Sequence, residues 1–174
     1  MRTIAVEEHF VDPRIRAATQ SSDWARRTRE LGEKGLRLGT EVFSKLEDLG
    51  EMRLAAMDAA GIDFQVLLHT QPGVEDLDGR DAMRLAGDAN DLLAQSISHH
   101  PDRFCGFALV PTPAPVAAAD ELERAVKTLG LKGSLVNGRT GGRFLDDRSF
   151  WPMPFGCTNG STRSKAHQAS WATS

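Results

Sequence analysis

Short apolar runs alternate with longer amphipathic segments along most of the chain. Runs of apolar and β-branched residues predict strands at residues 3–6, 62–68, 104–110 and 131–136. Apolar positions at helical spacing predict helices over residues 46–60, 80–99 and 116–129. The first strand is expected to be buried, and Gly61 and Gly130 are expected to end the first and last of these helices. The predicted order is therefore strand, helix, strand, helix, strand, helix, strand.

This alternation predicts an α/β fold with a parallel sheet and right-handed crossovers. Two architectures fit the pattern: a doubly wound open sheet, or part of a (β/α)8 barrel. A dinucleotide-binding open sheet would carry a Gly-rich phosphate loop directly after Val6, and no such loop stands there. Residues 14–38 are polar and weakly periodic, and we interpret them as an excursion that contains helix.

Composition and charge narrow the class of protein. The 174 residues are 40% hydrophobic and 26% charged, as is typical of one globular domain. The formal net charge is −3, so neither nucleic acid nor an anionic membrane is expected as a partner. No membrane span and no signal segment are expected. The two cysteines indicate no disulfide framework, and a cytoplasmic protein is expected.

The β/α pattern stops near Met153. Residues 154–174 contain a Ser/Thr-rich run without helical or strand periodicity, and Asp147 is the last acidic residue of the chain. One interpretation is a domain at 1–153 followed by a disordered tail. The preferred interpretation is a shifted reading frame, because the next frame from the Met153 codon can encode a helix-compatible sequence.

A carboxylate and an imidazole stand at the end of the first predicted strand. Glu7-Glu8-His9 follows residues 3–6 directly, and strand residues two positions apart point to the same face. Glu7 and His9 are therefore expected on one face and Glu8 on the other. At the carboxyl rim of a barrel, an oxygen and a nitrogen donor suit a metal such as zinc. The alternative at this point is a solvated strand end.

Other polar side chains are candidates for substrate binding or for structural roles. His69 ends the second predicted strand and would face the barrel mouth, and Asn137 follows the fourth. Substrate binding is considered for both, against a role as polar loop or turn residues. The pair 99–100 is expected to cap a helix, and Cys105 to be a small buried residue.

Three stretches carry a resemblance to a known family. They are residues 5–10, which read AVEEHF, residues 100–111, which contain HPDRF and VP, and residues 129–138, which contain LGLKG and VNG. Gly61-Ile62 and the segment 72–75 fit the same pattern. Residues 1–153 thereby resemble the N-terminal half of the amidohydrolase-related family that includes the decarboxylases of resorcylate and dihydroxybenzoate.

The resemblance implies about four β/α units, the N-terminal half of a metal-dependent (β/α)8 barrel. It implies a carbon–carbon lyase, or else a hydrolase, that acts on a small, aromatic carboxylic acid. Glu7 and His9 are implied as ligands of a divalent metal, zinc or alternatively manganese, and a full-length relative is implied to be a homo-oligomer.

The family's later metal-binding histidine, catalytic histidine and late aspartate have no matching residues in this chain. The catalytic residues are therefore unknown from the sequence. We expect the chain to be truncated, to bind metal weakly and to be inactive by itself. A non-catalytic fragment or a partner-binding remnant is the alternative function.

Overall fold

The structure, a computed structural model, describes residues 1–33 and 40–153. In chain order the elements are β1 (Ile4–Phe10), α1 (Pro13–Ala18), α2 (Asp23–Glu33), α3 (Thr40–Glu47), α4 (Glu51–Ala60), β2 (Phe64–His69), α5 (Gly79–His99), β3 (Phe104–Gly106), α6 (Pro115–Lys127), β4 (Arg139–Thr140), β5 (Arg143–Phe144) and a 3-10 turn (Arg148–Phe150). The predicted tail at 154–174 lies outside the described residues. Within them, no helix has the length and apolar character to cross a membrane.

The first three strands form one parallel sheet in the order β1, β2, β3. The predicted fourth strand at 131–136 is present only as a parallel bridge between Ala108 and Ser134. Gly133 adopts φ +148, which interrupts the extended conformation beside that bridge. The helix–strand alternation and the parallel pairing confirm the predicted α/β class.

Strand β1 lies at the edge of this sheet, which corrects its predicted burial. Among the described residues it pairs with β2 alone, and Ile4 and Val6 are 54% and 66% exposed. Leu67 of the central strand β2 is fully buried. Apolar composition favours a strand for both β1 and β2. Burial also requires a neighbouring strand on each side, which only β2 has among the described residues.

The main core lies between the sheet and helices α4, α5 and α6. Its buried members include one side chain from each of these six elements: Phe10, Leu67, Phe104, Met57, Leu93 and Ala125. Helices α5 and α6 lie within two residues of their predicted bounds, because a long apolar period is a strong helical signal. Helices α1 and α2 confirm that the excursion contains helix.

The predicted helix at 46–60 is interrupted, so its prediction as one continuous helix is wrong. Helix α3 ends at Glu47, and Asp48 turns the chain. The Asp48 carboxylate accepts hydrogen bonds from the main-chain amides of Gly50 and Arg53, both at 3.0 Å, and so caps the start of α4. Gly61 adopts φ +67 after α4 and confirms the predicted end of that helix.

Strands β4 and β5 form an antiparallel hairpin that the sequence analysis did not predict. Gly141 and Gly142, between Thr140 and Arg143, both adopt positive φ, +53 and +79, as a type I′ turn requires. The buried hydroxyl of Thr140 donates to the Thr112 hydroxyl at 2.7 Å. This bond joins the hairpin to the loop that follows β3.

A buried asparagine takes the place of a strand partner beyond β3. Asn90 of α5 is 1% exposed, and its Nδ2 donates to the carbonyl of Leu109 at 2.8 Å and to Glu121 Oε1 at 2.7 Å. Its Oδ1 accepts from the Leu109 amide at 2.8 Å. The side chain therefore satisfies both main-chain groups of Leu109, three residues after the ladder stops at Gly106.

We expect Asn90→Ala to lower the free energy of unfolding by about 3 kcal/mol, because the buried amide and carbonyl of Leu109 would lose their partner. Urea unfolding followed by tryptophan fluorescence measures the change. Asp91→Ala is the matched control: it removes the neighbouring carboxylate, 59% exposed and paired with Arg124, and should cost less than about 1 kcal/mol. Equal losses in the two variants would contradict the assigned role of Asn90.

Candidate metal and substrate site

A β-bulge changes the course of β1 at its functional end. The register with β2 shifts by one residue between Ala5 and Glu8, so Val6 and Glu7 occupy the place of one residue. Glu7 adopts φ +59, which is uncommon for a residue with a side chain. Regular strand alternation therefore does not extend from Glu7 to His9, and their common face stays a prediction.

The register after the bulge gives the faces of the next two residues, because paired strand residues point to the same side. Glu8 pairs with Leu67, a member of the core beneath the helices. His9 pairs with Leu68 and so points to the opposite side of the sheet. Glu8 therefore lies on the helix side, where its negative charge acts on Arg53.

Glu7 and His9 are both exposed. Within residues 1–33 and 40–153, no hydrogen bond or ion pair engages either side chain. A carboxylate oxygen and an imidazole nitrogen suit a divalent metal, so the donor chemistry of both residues fits the predicted ligand role, which stays a prediction. No group of three or more His, Cys, Asp or Glu side chains in the described part of the chain could hold a metal ion.

The structure corrects the expected direction of His69. This residue pairs with Phe10, and the two rings meet edge to face with centroids 5.2 Å apart. The imidazole is 6% exposed. Its Nε2 accepts from the Asp12 amide at 3.0 Å, and its Nδ1 lies 2.6 Å from the carbonyl of Thr70. The side chain thus faces the helix side, with neither nitrogen free for a substrate.

Burial keeps His69 neutral. Loss of water around the ring lowers the pKa of His69 to about 4, which outweighs the opposite effects of the Thr70 carbonyl and the Asp12 carboxylate. Asp12 is also buried. Burial would raise the pKa of Asp12, but the hydrogen bonds from Arg14 outweigh it and hold that pKa below its usual value. The Asp12 carboxylate therefore stays charged at the start of α1.

Asn137 lines a small cleft, of about 90 Å³, beyond the carboxyl ends of the strands. The other lining residues are Trp24, Gln71, Pro72, Glu75, Asp76 and Arg139. Asn137 Nδ2 donates to Glu75 Oε1. Sequence reasoning missed Trp24 and Arg139 as cleft residues, because neither stands at the end of a predicted strand. Glu75 belongs to the segment 72–75, which carries part of the family resemblance.

A larger cleft, of about 740 Å³, lies at the opposite end of the sheet, where the strands begin. Both of its arginines are already engaged: Arg103 Nη2 donates to Asp58 at 2.7 Å, and Arg2 Nη2 donates to the carbonyl of Asp102 at 2.9 Å. The amino ends of barrel strands serve stability, whereas chemistry takes place at the carboxyl ends. Size alone therefore does not make this cleft the candidate site.

The remaining candidates have structural roles in the described residues. His100 forms the C-cap of α5, and its ring meets that of Phe104 edge to face at 6.0 Å. Cys105 of β3 is half-buried rather than fully buried. Burial raises the pKa of the Cys105 thiol, and the charge of Lys132 opposes this only in part. The thiol is therefore the stable form of this side chain near neutral pH.

The depressed pKa of His69 predicts a loss of stability in acid. Above pH 6.5 this imidazole is mostly neutral in both the folded and the unfolded chain. Its ionisation therefore does not change the free energy of unfolding in that range. As the pH falls from 6.5 towards 4, the unfolded state takes up the proton first, and the free energy of unfolding should drop by about 3 kcal/mol.

Urea unfolding of the wild type and of His69→Gln at a series of pH values measures this loss. Glutamine keeps one acceptor and one donor but does not titrate. The difference in free energy of unfolding between the two proteins should therefore vary with pH between 6.5 and 4. A His69 NMR titration with a midpoint near 6.5 in the folded protein would contradict the prediction.

Comparison with known proteins identifies the fold and the family. The chain matches the amidohydrolase family over residues 7–158. Gamma-resorcylate decarboxylase from Rhodococcus jostii is 39% identical over 139 residues, which cover 78% of this chain and 38% of that enzyme. The 5-carboxyvanillate decarboxylase from Sphingomonas paucimobilis matches in structure with a TM-score of 0.76 at 34% identity, over 87% of this chain and 47% of that one.

A dihydroxybenzoic acid decarboxylase from Polaromonas sp., solved with manganese and the inhibitor 2-nitroresorcinol, gives a TM-score of 0.70 at 34% identity, over 87% of this chain and 45% of that one. The chain thus spans less than half the length of each of these relatives. The structural neighbours are (β/α)8 barrels, which confirms the predicted partial barrel. The match over residues 7–158 covers most of the chain, and the chain therefore belongs to the amidohydrolase family.

Proposed function

We propose that this chain carries the first part of a metal-dependent carbon–carbon lyase that decarboxylates a small aromatic carboxylic acid. The observation that carries the proposal is the pair of donors Glu7 and His9, whose side chains have no partner among the described residues, at the point where the family match begins. The relatives named as decarboxylases at 34–39% identity favour this reaction over hydrolysis. A cytoplasmic location and a homo-oligomeric full-length enzyme are proposed with it.

Glu7 and His9 would hold a divalent metal by a carboxylate oxygen and an imidazole nitrogen. Manganese is the favoured ion, because the Polaromonas decarboxylase was solved with it; zinc is the alternative from donor chemistry. When bound, the metal supplies positive charge for the substrate carboxylate and its neighbouring hydroxyl. Glu7 and His9 would each contribute one donor atom to it.

The cleft beside Asn137 is proposed to hold the substrate ring. The Asn137 amide and the Arg139 guanidinium can donate hydrogen bonds to a hydroxyl or a carboxylate, and Trp24 offers an aromatic face. Glu75 accepts from Asn137 and so orients its amide. No residue within 1–33 and 40–153 is assigned as the acid that protonates the ring carbon as carbon dioxide leaves.

The chain by itself is expected to bind metal weakly and to show no turnover, because catalytic metal sites use three or more protein ligands. The alternative, a non-catalytic fragment or partner-binding remnant, is favoured by the same count of two ligands.

A chimera separates the two hypotheses. Residues 1–153 of this chain would replace the corresponding part of the Rhodococcus jostii gamma-resorcylate decarboxylase.

We expect the chimera with manganese to release carbon dioxide from 2,6-dihydroxybenzoate, and dialysis against a chelator to abolish this activity reversibly. Glu7→Gln and His9→Asn should each lower kcat at least about 100-fold, since even the outer-shell partners of metal ligands cost 10–100-fold. Glu8→Gln, on the opposite face, is the control and should change kcat less than about tenfold.

Two results would contradict the proposal. An active chimera in which Glu7→Gln and His9→Asn behave like Glu8→Gln would remove the metal role from these residues. A folded chimera that binds manganese without releasing carbon dioxide would point away from decarboxylation.

A further inference from the structure

Arg53, in the first turn of α4, buries its guanidinium against the main chain of β1. The residue is 9% exposed. Its Nη2 donates to the carbonyl of His9 at 2.9 Å, and its Nε donates to the carbonyl of Asp48 at 2.8 Å. Its Nη1 donates to Gln65 Oε1 of β2 at 3.3 Å. One rigid group therefore joins the end of β1 to α4 and β2.

This burial has an electrostatic cost that packing alone does not explain. Arginine is rarely buried unless it is paired, yet these three hydrogen-bond acceptors of Arg53 are neutral oxygens. Burial lowers the pKa of the Arg53 guanidinium, and the carboxylates of Glu8 and Asp48 oppose this from beyond hydrogen-bond distance of its nitrogens. An apolar side chain of similar volume often serves packing as well or better than a buried charge, so a geometric role is the simpler explanation.

Arg53 binds the part of β1 that directly follows the bulge. Glu7 adopts a left-handed conformation at the bulge, and β1 pairs on one side only among the described residues. The hydrogen bond from Arg53 comes from the helix side and does not depend on the strand ladder. It therefore gives the His9 main chain a hydrogen bond that the pairing with β2 does not provide.

We propose that Arg53 is a positioning residue of the metal site, which acts through the His9 carbonyl to hold Glu7 and His9 in a ligating arrangement. The inference rests on the proposed metal role of Glu7 and His9. Metal ligands must be held within about 0.5 Å of their productive positions. The planar guanidinium donates in several fixed directions at once, and a lysine ammonium cannot reproduce that set.

Manganese titration of the full chain tests this through the imidazole NMR spectrum. The chain has five histidines, and His9→Gln identifies the His9 signal. Paramagnetic broadening of that signal reports manganese binding even when it is weak. We expect broadening in the wild type, and Arg53→Met should raise the half-broadening concentration at least about tenfold, as loss of an outer-shell partner does.

Two further variants separate positioning from loss of stability. Arg103→Met is the matched control: Arg103 also donates to main-chain carbonyls, those of Asp63 at 3.1 Å and Ile62 at 3.2 Å, but it lies at the amino ends of β2 and β3. It should leave the His9 midpoint unchanged. Arg53→Lys keeps the charge and serves if Arg53→Met does not fold, and it should raise the midpoint at least about threefold.

Each outcome decides the question. An unshifted midpoint in a folded Arg53 variant would overturn the positioning role while the metal role stands. Equal shifts in Arg53→Met and Arg103→Met would also overturn it, because general destabilisation would then explain both. If the wild-type His9 signal is not broadened up to the solubility of manganese, the proposed metal role fails and the inference fails with it.

Discussion

The parallel pairing of β1 with β2 determines where each polar group at the carboxyl edge of the sheet lies. Because paired residues share a face, the register of His9 with Leu68 and of Phe10 with His69 sends the two histidines to opposite sides. The bulge before Glu8 sets that register. Without the bulge, the residues after it would shift by one position in the register and each would point to the other face of the sheet. Glu8 and His9 would then exchange faces.

Buried side chains complete the hydrogen bonding where this short sheet stops. Arg53 donates to the carbonyl of His9 in β1, His69 accepts from the Asp12 amide after β1, and Asn90 bonds both main-chain groups of Leu109 after β3. Buried main-chain groups need partners, and a three-stranded sheet does not provide them at its carboxyl edge. The polar interior of this end is therefore a consequence of the sheet's extent, and it keeps the strand ends ordered beside the candidate site.

The sequence predicted the features that depend on local periodicity and missed those that depend on partners. Helices α5 and α6 carry long amphipathic patterns, and their bounds followed from these. The break at Asp48 arises from a side chain that bonds two main-chain amides, which an apolar period does not reveal. The bulge at Glu7 and the exposure of Ile4 depend on which strands lie alongside β1. The hairpin turn at Gly141-Gly142 did have a local signal, the Gly-Gly pair itself.

His9 and His69 illustrate why a position at a strand end is not sufficient to identify a functional residue. His69 lies on the helix side, where its two nitrogens meet main-chain groups and its charge would be buried. His9 is exposed on the other side, and its ring has no hydrogen-bond or ion-pair partner within residues 1–33 and 40–153. Both residues are histidines at the end of a strand, and the face of the sheet on which each one lies determines its chemistry. Any further ligand of the proposed metal would therefore approach from the side that His9 faces, away from the core beneath α4, α5 and α6.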